Sequence, residues 1–168
     1  EEMGINTGTT TVLDLDDRVI KFIENVSNKR RWGINAVRQD LRNPLEAQMC
    51  DKFDVFFCDP PYTAEGLRVF TSRGVELLRS NPGKKGFICF GAGHPDEIVD
   101  ALSVVTELGL VLREIVPSFN KYIGAQVHAQ TSSMIRCDTS SRVISVFPDC
   151  FGSNIYTAEK NDSRRHRH

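Results

Sequence analysis

With 168 residues, 40% of them hydrophobic, the chain has the size of one domain with an ordinary core and too much apolar content for a disordered or fibrous protein. Its 21 basic and 22 acidic side chains leave a formal charge of -1, so no global field drives it onto nucleic acid, and a cationic partner needs a local acidic site. Five cysteines without a CxxC pair argue for reduced, buried thiols rather than a zinc or disulfide framework, and no stretch has the length of a membrane span or the pattern of a signal peptide, so the cytoplasm is the expected compartment.

In chain order, residues 9–17 (TTTVLDLDD) form a β-branched run ending in acids, and Val19, Ile20, Phe22, Ile23 and Val26 then recur at helical spacing, which predicts a strand followed by a helix. An acid at the end of such a strand is placed to accept hydrogen bonds from ribose hydroxyls; Asp14 is the best candidate, with Asp16 beside it. A helix cap at Asp16 or Asp17 fits the same residues, and Asp17 is expected to be only a cap. Residues 33–40 repeat the strand-to-acid pattern before the Asn43-Pro44 turn. There Asp40 can accept from an adenine amino group, or simply be a solvated acid ahead of the turn.

The third unit is FDVFFCDPPYT, residues 53–63. Val55 to Cys58 is too short for a buried helix and rich in strand formers, so a strand covered on both faces is expected, stopped by Pro60 and Pro61. Asp59 then lies at the carboxyl end of a strand, where open α/β sheets bind ligands. Two prolines in series stiffen the loop, so that the Asp59 carboxylate and the Pro60 carbonyl can converge on one nitrogen, and Tyr62 offers a flat ring to a base or a cation. The alternative is a helix start in which Asp59 merely caps, a task Thr63 is equally able to perform.

A helix is expected over 64–79, with Leu67, Phe70, Val75, Leu77 and Leu78 inward, a strand over 85–90, and a helix from about Pro95 to Leu108 ended by Gly109. Strands are expected over 110–116 and 132–137, with 142–147 as a last one. Strands alternating with helices imply a mainly parallel, doubly wound α/β sheet, antiparallel only near the C-terminus. Residues 1–150 are assigned to this domain and 151–168 to a C-terminal tail.

Acids after two successive strands and DPPY after the next resemble the Rossmann-like methyltransferases, in which such a loop marks transfer to an amino group. DPPYTAEGLRVFTSRGVELL, together with VLDLDDRVIKFIE and SFNKYIG, is similar to the archaeal and bacterial branched-chain polyamine synthases, from about Thr11 to Cys137. The resemblance implies transfer of aminopropyl groups from decarboxylated S-adenosylmethionine to the secondary nitrogen of spermidine, with a small-molecule polyamine as partner and the sulfonium as co-substrate rather than a resident cofactor. It puts Asp59 and Tyr62 at the chemistry, and Asp14, Asp16, Asp40, Leu41 and Pro60 around the donor. Pro61, Glu65, Asn120 and Tyr122 fall to the amine, although a surface turn explains Asn120-Lys121-Tyr122 and a favourable helix dipole explains Glu65 equally well.

The family pattern also begins with a winged helix and a first strand carrying a glycine-rich loop, which have no counterpart in this sequence. The expected fold is therefore a Rossmann-like methyltransferase-type sheet without its first strand and glycine-rich loop, read as an N-terminally incomplete fragment. Such a chain is expected to be poorly stable or to self-associate through the gap. No metal is expected, since His128 has no ligand partner at useful spacing and His94 reads as a turn residue. Two other functions stay open: an S-adenosylmethionine-dependent amino-methyltransferase acting on nucleic acid, which the net charge disfavours, and a non-catalytic remnant of the fold.

Overall fold

The computed structural model describes residues 9–91, 94–122, 131–144 and Ile155. The chain divides into two compact units, Glu1–Asn43 and Pro44–His168. In the first, β1 (Thr11–Asp14) pairs in parallel with β2 (Asn35–Arg38), and α1 (Asp17–Arg30) connects them. Asp16 caps α1, its carboxylate accepting from the Arg18 amide at 2.8 Å. Asp17, expected to be the cap, is instead the first helical residue and pairs with Arg38 at 3.1 Å. Arg31 closes the helix in the left-handed region, φ 56°, and Lys29 and Arg30 complement the negative end of the dipole. Ser27 is buried and accepts from the Ile34 amide at 2.9 Å, which ties the helix end to the start of β2.

The second unit contains β3 (Val55–Cys58), α2 (Ala64–Leu77), β4 (Lys85–Phe90), α3 (Pro95–Glu107), β5 (Leu110–Lys121) and β6 (Thr131–Thr139). The sheet order is β3-β4-β6-β5, with β3 and β4 parallel and β6 antiparallel to both of its neighbours. The carboxyl ends of β3, β4 and β5 therefore share one edge with the amino end of β6. This mixed α/β arrangement matches the expected element order. Leu67, Ile88, Val104, Val105, Leu108 and Cys137 are essentially inaccessible to solvent between α2, α3 and the sheet. Each aliphatic side chain among them is worth about 1.5–3 kcal/mol of burial. No helix among the described residues is long and apolar enough to cross a membrane.

Three differences from the sequence reading have physical causes. Strand β3 is covered on one face only: Phe56 is buried, but Val55 is 49% and Phe57 61% exposed. A strand presents alternate residues to opposite faces. Only the Phe56 face meets α2, where the ring fills a notch between Gly74 and Gly86; an added Cβ at either glycine would come within 2.6 Å of it. Second, β5 does not stop at Val116 but continues to Lys121, through a register shift between Val116 and Asn120 at which Ser118 takes a φ of 52°. That irregularity accommodates Pro117, which has no amide to donate. Third, residues 142–144 carry no strand, and the rest of the expected last strand lies outside the described residues. Gly109 ends α3 as read, with a φ of 74° and no room for a Cβ, which would lie 2.3 Å from the Arg142 carbonyl. Ile155, within the stretch read as a tail, is 2% exposed.

Candidate active site

Helix α2 begins one residue after DPPYT, and its cap decides what Asp59 is free to do. Thr63 is the cap: its hydroxyl accepts from the Gly66 amide at 2.9 Å and donates to the Ile155 carbonyl at 2.8 Å. The Pro61 carbonyl accepts the Thr63 amide at 2.7 Å, and Gly66 is needed because a Cβ there would lie 2.7 Å from that oxygen. The exposed Asp59 carboxylate is thus not spent on the helix. Pro60 is buried beneath it and Pro61 half-buried.

Extension of β5 carries Asn120 and Tyr122 to the same sheet edge. Asn120 pairs in register with Ser132 at the start of β6. The Tyr122 hydroxyl lies 2.7 Å from Asp59 Oδ2, 2.9 Å from Ser132 Oγ and 3.2 Å from Asn120 Nδ2. Asn120 Nδ2 also lies 3.1 Å from the sulfur of Cys89. On the other side, Tyr62 Oη reaches Asp59 Oδ1 at a long 3.4 Å. Its ring stands edge-to-face with Phe90 and Tyr122, at centroid distances of 5.7 and 6.4 Å. Burial first, then the Tyr122 hydroxyl and the Asp59 charge, push the Tyr62 phenol well above its usual range, so it stays protonated and acts as a donor and a wall, not as a base. Burial likewise raises the Cys89 thiol. The second unit therefore presents a carboxylate set between two tyrosines, which is suited to an organic ammonium group. Glu65, in the first turn of α2, has no hydrogen bond or ion pair to this cluster.

In the first unit, β1 and β2 run parallel, so Asp14, the last residue of β1, and Asp40, two residues past β2, lie at the carboxyl ends of neighbouring strands, and the Gln39 amide donates to the Asp14 carbonyl at 2.9 Å. Half-buried Asp14 accepts the Asp16 amide on Oδ1 at 2.8 Å. Asp16 is engaged by Arg18 at 2.5 Å, chiefly through side-chain hydrogen bonds that pull its carboxyl down to about 2. Arg42 grips both Asp40 oxygens, with the ion pair at 2.8 Å, and holds that carboxyl below the usual range. Leu41 is half-buried in the turn that follows.

Residues 6–162 match the family model of the branched-chain polyamine synthase A C-terminal domain. The chain belongs to this family. An N(4)-bis(aminopropyl)spermidine synthase of Thermococcus kodakarensis is 36% identical over 118 residues, 67% of this chain and 33% of that protein. The chain spans about a third of the length of the curated relatives it matches. Among solved structures, the branched-chain polyamine synthase C9 mutein of Thermus thermophilus, in complex with N4-aminopropylspermidine and 5'-methylthioadenosine, superposes with a TM-score of 0.78 at 24% identity, over 88% of this chain and 48% of that one. A SAM-dependent methyltransferase of Methanosarcina mazei, 8% identical, gives a TM-score of 0.57 over 78% of this chain and 82% of its own. The fold is the Rossmann-like methyltransferase type.

The second unit brings together Asp59, Tyr62, Asn120 and Tyr122 of the residues read from sequence. It adds Ser132, Cys89, Phe90 and Gly91, none of which stands out locally: Phe90 and Gly91 meet Tyr62 of the DPPY loop, while Ser132 and Cys89 reach Tyr122 and Asn120 through the pairing of β4 with β6 and of β5 with β6. Gly91 has a testable role, because a Cβ there would sit 2.5 Å from the Tyr62 ring. Gly91→Ala is expected to tilt that ring and, on the function proposed below, to slow turnover of the full-length protein roughly ten- to a hundredfold with donor affinity unchanged. Steady-state kinetics and donor calorimetry would check it; unaltered turnover would show that the ring's placement is not critical.

Proposed function

We propose that this chain provides the catalytic core for aminopropyl transfer from decarboxylated S-adenosylmethionine to the secondary nitrogen of spermidine. The observation that carries the proposal is the exposed Asp59 carboxylate, free of helix-capping duty and set between Tyr62 and Tyr122. Family membership supports it, as do the products bound to the Thermus thermophilus enzyme: a sulfonium that gives up its aminopropyl group becomes 5'-methylthioadenosine.

Spermidine's secondary ammonium gives one proton to Asp59, and the freed nitrogen lone pair attacks the aminopropyl carbon bonded to sulfur. The C–S electrons leave with sulfur, which becomes a neutral thioether, and the nitrogen becomes a tertiary ammonium. A second cycle removes that proton and yields a quaternary, branched product. Displacement needs an in-line approach at roughly 3–3.5 Å, which rigid walls favour over a mobile loop. Tyr62 and Tyr122 supply those walls, with Pro60 and Pro61 stiffening the loop. In this reading Asp14 and Asp16 receive the ribose hydroxyls, and Asp40 with Leu41 receives the adenine.

The donor is tested by calorimetry on the full-length protein. Decarboxylated S-adenosylmethionine is expected to bind more tightly than S-adenosylmethionine, because an aminopropyl transferase has no use for a cation paired with the methionine carboxylate. Equal or tighter binding of S-adenosylmethionine would favour a methyltransferase acting on an amino group.

A further inference from the structure

The hydrogen bonds behind Asp59 constrain where its neighbours' protons sit. A carboxylate only accepts, so the 2.7 Å contact requires Tyr122 to donate its single proton to Asp59 Oδ2. Tyr122 then has only lone pairs left, and the 2.9 Å contact with Ser132 must run from the serine hydroxyl to the phenol. Asn120 Nδ2 fills the remaining position on the Tyr122 oxygen. Ser132 is 2% exposed and Cys89, the other neighbour of the Asn120 amide, is fully buried, so water does not compete at the back of the chain. At the front, among the described residues, Oδ1 has only the 3.4 Å contact from Tyr62, far longer than the usual 2.7–2.8 Å of an O–H···O bond.

We propose that Asn120 and Ser132 are positioning residues for Asp59: by occupying the lone pairs of Tyr122 they commit its proton to Oδ2, anchoring that oxygen and leaving Oδ1 as the one that takes the amine proton. This rests on the reading of Asp59 as the amine's proton acceptor. Its chemical consequence is that the transferred proton stays on the exposed oxygen. Were it delivered to Oδ2, Tyr122 would have to turn its own proton back toward Ser132, and Ser132 would be left with only the sulfur of Cys89 or the Tyr62 hydroxyl to receive its own. Two successive transfers need Asp59 emptied of a proton in between, and Oδ1 is the side from which water can remove it.

The test uses spermidine alkylation by the full-length protein, followed by release of 5'-methylthioadenosine, with thermal melting of every variant as the folding control. Asn120→Asp preserves size but replaces a donor with an acceptor that competes for the Tyr122 proton. It is expected to lower kcat about a hundredfold, more than Asn120→Ala at about tenfold, with KM for the donor unchanged. Ser132→Ala is expected to lower kcat severalfold and Ser132→Thr, which keeps the hydroxyl, to restore it. Because both residues act through the phenol, adding either alanine change to Tyr122→Phe should cost less than twofold more. Losses that multiply in the double variants, or an Asn120→Asp enzyme no worse than Asn120→Ala, would overturn the positioning role. If Asp59→Asn abolishes turnover while the Asn120 and Ser132 variants match the unaltered enzyme, the positioning role falls and the proposed function stands. If Asp59→Asn is itself fully active, both fall.

Discussion

Replacing Asp59 by asparagine is expected to slow spermidine alkylation about a hundredfold or more, the usual share of acid–base catalysis. The amide keeps the shape and one acceptor oxygen, but it cannot take a proton from an ammonium. Donor binding, measured by calorimetry, should change little, since the ribose and adenine are assigned to acids of the other unit. The contrast with an exocyclic base amine is informative. That nitrogen is uncharged from the start and needs only an acceptor, so an amino-methyltransferase would tolerate the same change much better. Near-full alkylation by Asp59→Asn across neutral pH would remove the assigned role. Helix capping is not available as a fallback explanation, because Thr63 performs it.

The largest stability effect is expected at Phe56. Its ring closes the gap between α2 and β4 and is 7% exposed, so Phe56→Ala should cost about 3–5 kcal/mol through lost burial and the cavity left behind. The converse change, Gly86→Ala, pushes a methyl group to within 2.6 Å of the ring and within 2.8 Å of the Cys137 sulfur, and overpacking of this kind costs about 1–3 kcal/mol. The two sites share one volume. Combining Gly86→Ala with Phe56→Leu should therefore recover part of the loss, which denaturant unfolding of the single and double variants would measure. Simple addition of the two penalties would show that the clash is relieved elsewhere, for example by movement of Cys137.

What the sequence made legible was mostly local. Val55–Cys58 and Lys85–Phe90 matched their strands because short β-rich runs bounded by Pro and Gly leave few alternatives, and the DPPY loop announced itself through proline chemistry. Exposure was read less well. Val19 and Phe22 have helical spacing on α1 but are 37% and 67% exposed, because periodicity shows that residues share a face without showing what covers it. The buried Arg73, paired with Glu76 at 2.7 Å inside α2, was equally invisible, since a long charged side chain reads as surface until its partner is known. Ser132 was missed for a topological reason. Its contact with Tyr122 depends on an antiparallel pairing across a connection that no local pattern encodes.

The continuation of β5 beyond Val116 makes the strand a ruler. At about 3.3 Å per residue, the stretch from Pro117 to Lys121 adds a reach of roughly 16 Å and delivers Asn120 and Tyr122 beside Asp59. Side chains alternate along a strand, so inserting or deleting a single residue there would turn the following ones to the opposite face and take the Tyr122 hydroxyl away from the carboxylate. Two register shifts, at Leu112/Glu114 and at Val116/Asn120, where Ser118 takes its positive φ, set this parity. Ahead of Asn120, residue count is what this segment must preserve.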